Sequence, residues 1–178
     1  MIERPLKTIR GIVSIFDNVS KKYVIKDKHN IITNEGRNYI LQKFLINTGL
    51  IPSTETLTYG PSSWFLSACV FGNKNNMVMP DMEYIPDDYI RDYDILITQE
   101  DVSFDSGERT IEFTLNLTGK AEAPTNITNL SLVITESANQ VQNNLSKTTE
   151  TKLFSKLLLP QLPLGAGTSH TITYSIYF

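Results

Sequence analysis

Apolar and polar positions alternate most regularly between residues 111 and 118, where Ile111, Phe113, Leu115 and Leu117 interleave with Glu112, Thr114, Asn116 and Thr118. A period of two puts one set on a core face and the other in water, so the segment predicts a strand with one wet face. Residues 95–104 are its predicted hairpin partner, joined through Asp105-Ser106-Gly107, where glycine suits the left-handed position of a short loop. The parity of that partner changes between Ile95, Ile97 and Val102, Phe104, which predicts a β-bulge near residues 99–101. Leu130, Leu132 and Ile134 predict another strand, residues 153–159 a further one, and Ile172, Tyr174, Ile176 and Phe178 a last strand inside which the chain is expected to end. Near the start, Ile9, Ile12, Val13, Ile15 and Phe16 lead through Asp17-Asn18 to Tyr23-Val24-Ile25, which predicts a hairpin.

One segment changes period. Thr33 or Asn34 can cap a helix, Glu35 suits its positive end, and Ile40, Leu41, Phe44 and Leu45 fall on one helical stripe, which predicts one α-helix at about residues 34–48 closed by Gly49. Residues 50–63 carry Pro52, Gly60 and Pro61 and predict a surface connection. Residues 64–71 are apolar at nearly every position, as in a strand covered on both faces, here expected to lie between the helix and the sheet core. Turn residues open a long excursion over 72–94, which holds Pro80, Pro86 and interleaved acids and tyrosines, and the polar stretch 137–151 predicts a further loop. The predicted fold is mainly β: an antiparallel two-sheet β-sandwich with the helix packed on it, one domain over 1–178, without internal repeats.

Composition narrows the functions without naming one. With 40% hydrophobic and 20% charged residues the chain can bury a core without disulfides or metals. The net charge is −3 and basic residues are dispersed among acids, which disfavours a nucleic-acid partner. The lone Cys69 sits in an apolar run and fits a reducing cytoplasm. No signal-peptide core and no apolar run of membrane-spanning length is present, so membrane insertion is not expected, and Asn116-Leu117-Thr118 and Asn126-Ile127-Thr128 read as strand composition rather than glycosylation sites.

Chemistry is sparse. His29, in a predicted turn, and His170, opening the last strand, read as exposed structural residues, since no nucleophile-elbow or Cys-His pattern accompanies them. Gly165-Ala166-Gly167-Thr168-Ser169 lacks the Lys-Ser/Thr ending and following helix of a phosphate loop and reads as a tight β-turn. The acids Asp81, Glu83, Asp87, Asp88, Asp92 and Asp94 lack the alternation of a calcium loop. No catalytic residue, cofactor or metal site is therefore expected. Tyr84, Tyr89 and Tyr93, with Asp87 and Asp88, are the candidate protein-contact residues, because amphipathic rings on a long loop make anchors; the same rings could stack on sugars.

Two stretches carry a resemblance. Asn30-Ile31-Ile32-Thr33-Asn34-Glu35-Gly36-Arg37-Asn38-Tyr39-Ile40-Leu41 resembles the lead into a short helix near the N-terminus of many tailed-bacteriophage tail and fibre-associated proteins. Leu153-Phe154-Ser155-Lys156, with Ser169-His170-Thr171-Ile172-Thr173-Tyr174-Ser175-Ile176, resembles the ending of similar proteins; Phe71-Gly72-Asn73 fits their strand-ending turn only in part, since Lys74 stands where a second glycine is usual. The resemblance implies a virion structural protein of the neck, tail or fibre-attachment region, made in the bacterial cytoplasm. Copies of the chain would form a ring or other symmetric oligomer and meet other virion proteins. The alternative reading is a carbohydrate-binding module or receptor-binding adhesin.

Overall fold

The computed structural model describes residues 9–48, 64–74, 79–82, 89–136 and 151–178. The first hairpin forms as β1 (Arg10–Asp17) and β2 (Lys22–Ile32), and the helix α1 spans Asn34–Thr48. Then come β3 (Phe65–Gly72), β4 (Ile95–Leu96), β5 (Val102–Asp105), β6 (Thr110–Thr118), β7 (Thr125–Thr135), β8 (Thr151–Leu164) and β9 (Ser169–Tyr177). All pair antiparallel in the order β4-β3-β7-β8-β2-β1-β9-β6-β5. This single sheet curls into a half-barrel. Gly49, residues 50–63 and residues 137–150 lie outside the described residues.

Two independent sheets, as the strand spacing predicts, do not form among the described residues. β2 bonds to β1 on one side and, through Ile31 and Ile32, to β8 on the other, so the two facing walls are continuous. Chain connectivity explains the curl. β4 and β5 occupy opposite ends of the sheet yet are consecutive in sequence, separated only by residues 97–101. Laid flat, eight inter-strand gaps would separate them by ~38 Å. The six steps from Leu96 to Val102 reach at most ~22 Å. The sheet must roll for the chain to make the crossing.

The parity change near 99–101 thus marks a change of wall, not a bulge in one strand. Residues Gln99–Asp101 form a 3₁₀ turn in which the Asp101 carboxylate accepts bonds from the Thr98 backbone N–H and hydroxyl, each at 2.7 Å. Only β5 pairs with β6, from Val102 opposite Phe113 to Asp105 opposite Thr110. In their connection the Asp105 carboxylate accepts from the N–H groups of Gly107 and Glu108, and the left-handed residue is Arg109, with φ 54°, rather than Gly107. The 165–169 segment is a tight turn joining β8 to β9, with Gly167 at φ 80°.

The curl encloses the main core, to which β1, β6, β7, β8 and β9 all contribute, with Val13, Leu115, Leu130, Leu132, Ile172 and Tyr174 among its fully buried members. β3 is covered on both faces, as its composition predicts, but its outer cover differs from the expected one. Ala68 and Val70, with Val133 and Leu153, pack under Met82 and Tyr89 of the 72–94 excursion. That excursion folds back on the sheet where Ile90 N–H bonds the Phe71 carbonyl at 2.8 Å and Gly72 pairs with Tyr89.

The helix packs chiefly on β8, with Tyr39 edge-on to Phe154 at 6.3 Å. Its start is fixed by Thr33. The Thr33 hydroxyl caps Gly36 N–H at 3.0 Å and points its own hydrogen at the Leu153 and Phe154 carbonyls, which lie beyond the end of β2. Gly36 sits directly on that backbone: a Cβ there would come within 2.3 Å of the Phe154 carbonyl oxygen. This contact sets the helix rotation, so Tyr39 and Ile40 turn to the core while Leu41 and Phe44, assigned to the buried stripe by periodicity, are exposed. In an ordinary helix Gly→Ala stabilises by about 0.5–1 kcal/mol. Here the sign reverses: Gly36→Ala is expected to cost about 1–3 kcal/mol, because the added methyl meets backbone that cannot rotate away. Urea denaturation of the variant against the parent checks it.

Candidate protein-contact surface

Rolling brings β3 and β4 opposite β5 and β6 without hydrogen-bonding them, and the seam between them is an open groove of about 530 Å³. Phe65 and Leu66 line it from β3, Leu96 from β4, Val102 from β5 and Phe113 from β6. Phe65, Leu96 and Val102 are 45%, 37% and 39% exposed, so this is apolar surface in water rather than core. On the other face of β5, a hollow of about 300 Å³ is lined by Ser103, Asp105, Glu108, Glu112 and Tyr177, with Phe104 at its rim. The first surface can hold an apolar side chain, and the second is acidic.

The structure separates the residues proposed from sequence as one contact patch. Tyr84, Asp87 and Asp88 lie outside the described residues. Tyr89 is half-buried over the outer face of β3, and its hydroxyl has no hydrogen-bond partner among the described residues. Tyr93 is on the inner side, 3% exposed. Its hydroxyl donates to the Ala123 carbonyl at 2.7 Å and accepts from Lys120 N–H at 3.0 Å, while the Lys120 ammonium lies over its ring. Tyr93 pins the excursion to the β6–β7 connection. In this conformation its ring is not offered to a partner or a sugar.

Several titratable groups are buried, with Asp94 acting on Cys69 and Cys69 on Tyr174. Asp94 follows Tyr93, and burial pushes its carboxyl up to about 8, against the pull of the Lys120 ammonium. Burial, reinforced by Asp94, also raises the Cys69 thiol far above the range of a useful thiolate. Tyr174 crosses the interior, donating to the Ser155 hydroxyl at 2.7 Å and accepting from the Asn30 amide. Its phenol is likewise raised, chiefly by burial. Among the described residues no three or more His, Cys, Asp or Glu side chains are placed to hold a metal ion.

The two histidines differ from their sequence reading. His29 is exposed, as expected, but lies within β2 rather than in a turn. His170 is not an exposed strand end: it is 4% exposed, between Asp17 of β1 and Leu117 of β6 in the ladder, and neither ring nitrogen has a hydrogen-bond partner among the described residues. Burial lowers its pKa, and the nearby Asp17 carboxylate partly offsets this. The alternation of β9 carried a signal of this burial, since His170 stands in phase with Ile172, Tyr174 and Ile176 while Ser169 and Thr171 fall on the other parity. The seam had a signal, the parity break at 99–101.

Opposite pH dependences follow from the two groups. Folded His170 resists the proton that the unfolded chain takes up near 6.5, so its contribution is present above that value and lost as pH falls through and below it. Folded Asp94 keeps its proton to about 8 while the unfolded carboxyl loses it near 3.8, so stability declines as pH rises between those values. Thermal melts across pH 5–8 should therefore show His170→Leu gaining on the parent towards the acid end and Asp94→Asn gaining towards the alkaline end. Parallel curves for variant and parent would refute the assignments. No protein-family model, curated protein or solved structure matches the chain.

Proposed function

We propose that this chain is a non-enzymatic structural component of a tailed-bacteriophage virion, of the neck, tail or fibre-attachment kind. In this reading it is made in the bacterial cytoplasm and works as an oligomer in contact with other virion proteins. One observation carries the proposal furthest: the two sequence patches that resemble such proteins, more than 100 residues apart, meet as a single junction. Asn30 bonds Tyr174, which bonds Ser155; Thr33 clamps the Leu153 and Phe154 carbonyls; Gly36 rests on Phe154. The exposed apolar seam favours a binding part.

Mass photometry and negative-stain microscopy of the purified protein, with immunodetection in virions, test this. A discrete symmetric oligomer that is also found in particles is expected. A strict monomer absent from particles would contradict the proposal. The carbohydrate-binding alternative rests on the sandwich reading and on the loop bearing Tyr84, Tyr89 and Tyr93, and the burial of Tyr93 gives it no support.

A further inference from the structure

We infer that copies of this chain join head to tail, the open edge of β5 in one copy pairing with the open edge of β2 in the next. The inference rests on the reading of the chain as an assembling component and names the contact.

Besides the short β4, two edges of the sheet are unpartnered among the described residues. β5 pairs with β6 alone among the described residues, and all four of its residues are exposed. β2 pairs with β1 along its length but with β8 only at Ile31 and Ile32. From there the two strands splay: the Lys28 ammonium reaches across to the Leu158 carbonyl at 2.7 Å, and exposed Pro160 and Pro163 on β8 have no N–H to offer. The backbone of β2 over residues 22–29 is thus an edge within the sheet order, open to an incoming strand.

The two edges carry opposite charge. Along β5 and its turns stand Glu100, Asp101, Asp105 and Glu108, against Arg109 alone. Along the open part of β2 and the turn before it stand Lys21, Lys22, Lys26 and Lys28, against Asp27 alone. Each edge also exposes large apolar groups, Phe104 at 69% and Val102 on β5, Tyr23 at 55% and Val24 on β2. Ladder hydrogen bonds would supply the pairing, the apolar groups its buried area, and the charges its choice of partner. β5 against β5 would set acid against acid, and β2 against β2 would set lysine against lysine. Only the unlike pairing escapes repulsion, and an unlike pairing is heterologous, so repetition gives a ring or a filament. The rival reading, in which charge merely guards each edge against aggregation, makes a different forecast.

Charge reversal separates them. One variant carries Glu100→Lys with Glu108→Lys; the other carries Lys22→Glu with Lys26→Glu. All four side chains are exposed, so each variant should melt close to the parent by circular dichroism. Each alone should associate at least about tenfold more weakly than the parent in sedimentation velocity. Mixed together they should reassemble, because every interface in the mixture again joins unlike edges, and added salt should weaken parent and mixture alike. Association that survives both reversals, or is lost in both and not restored by mixing, overturns this contact while leaving the assembly reading standing. A parent protein that stays monomeric at every concentration overturns both.

Discussion

The structure depends on a length limit. Residues 97–101 connect the two end strands of a nine-stranded sheet, and a flat sheet would hold those strands almost twice as far apart as the connection can reach. Rolling satisfies the limit and faces one half of the sheet with the other, so that a single antiparallel sheet builds a closed-in core as two stacked sheets would. The 3₁₀ turn held by Thr98 and Asp101 is the point where the chain changes walls. The rolled sheet does not hydrogen-bond across its seam. That incompleteness leaves both the apolar groove and the free edge of β5.

Opposite the seam, the place where β2 gives way to α1 ties the walls together. Thr33 supplies β8 with the bonds that β2 no longer provides, Gly36 lets the helix lie on the strand, and Tyr174 spans the interior between Asn30 and Ser155. A buried polar chain of this kind strengthens a fold only when its members satisfy one another, which makes residue identity there unusually demanding. This gives a packing reason for the pattern in Asn30–Gly36 and in Leu153–Ser155.

Local chemistry was legible in the sequence: the first hairpin, the helix bounds, the alternating strand at 111–118, the doubly covered strand at 65–72 and the turn at Gly167 all follow from periodicity and cap or turn residues. What escaped depends on contacts between distant segments. Alternation tells a strand which face is dry but not whether the opposing wall belongs to another sheet or to the same one, so a curled sheet reads as a sandwich. Helical spacing gave Leu41 and Phe44 to the core because nothing local reveals that Gly36 meets the Phe154 carbonyl and rotates the helix. Tyr93 looks like a solvated loop residue until the Ala123 and Lys120 backbones are placed beside it. The candidate contact residues were placed on the excursion, whereas the exposed apolar groove lies elsewhere, on β3, β4 and β5.

Charge is likewise informative only after folding. A net −3 spread over the chain becomes a lysine-bearing edge on β2 and an acid-bearing edge on β5 once the sheet order is known. The enclosed core and the seam exist because the sheet rolls around the short crossing, so the curl itself is the point to test. Cys69 is fully buried and should not react, so spin labels at Phe65→Cys and Val102→Cys can report the separation of the two walls by pulsed dipolar spectroscopy. Side chains that share one groove should give a mean label distance under ~20 Å, whereas seven strand spacings in an unrolled sheet would give ~34 Å, and a distance near that second value would contradict the curled architecture.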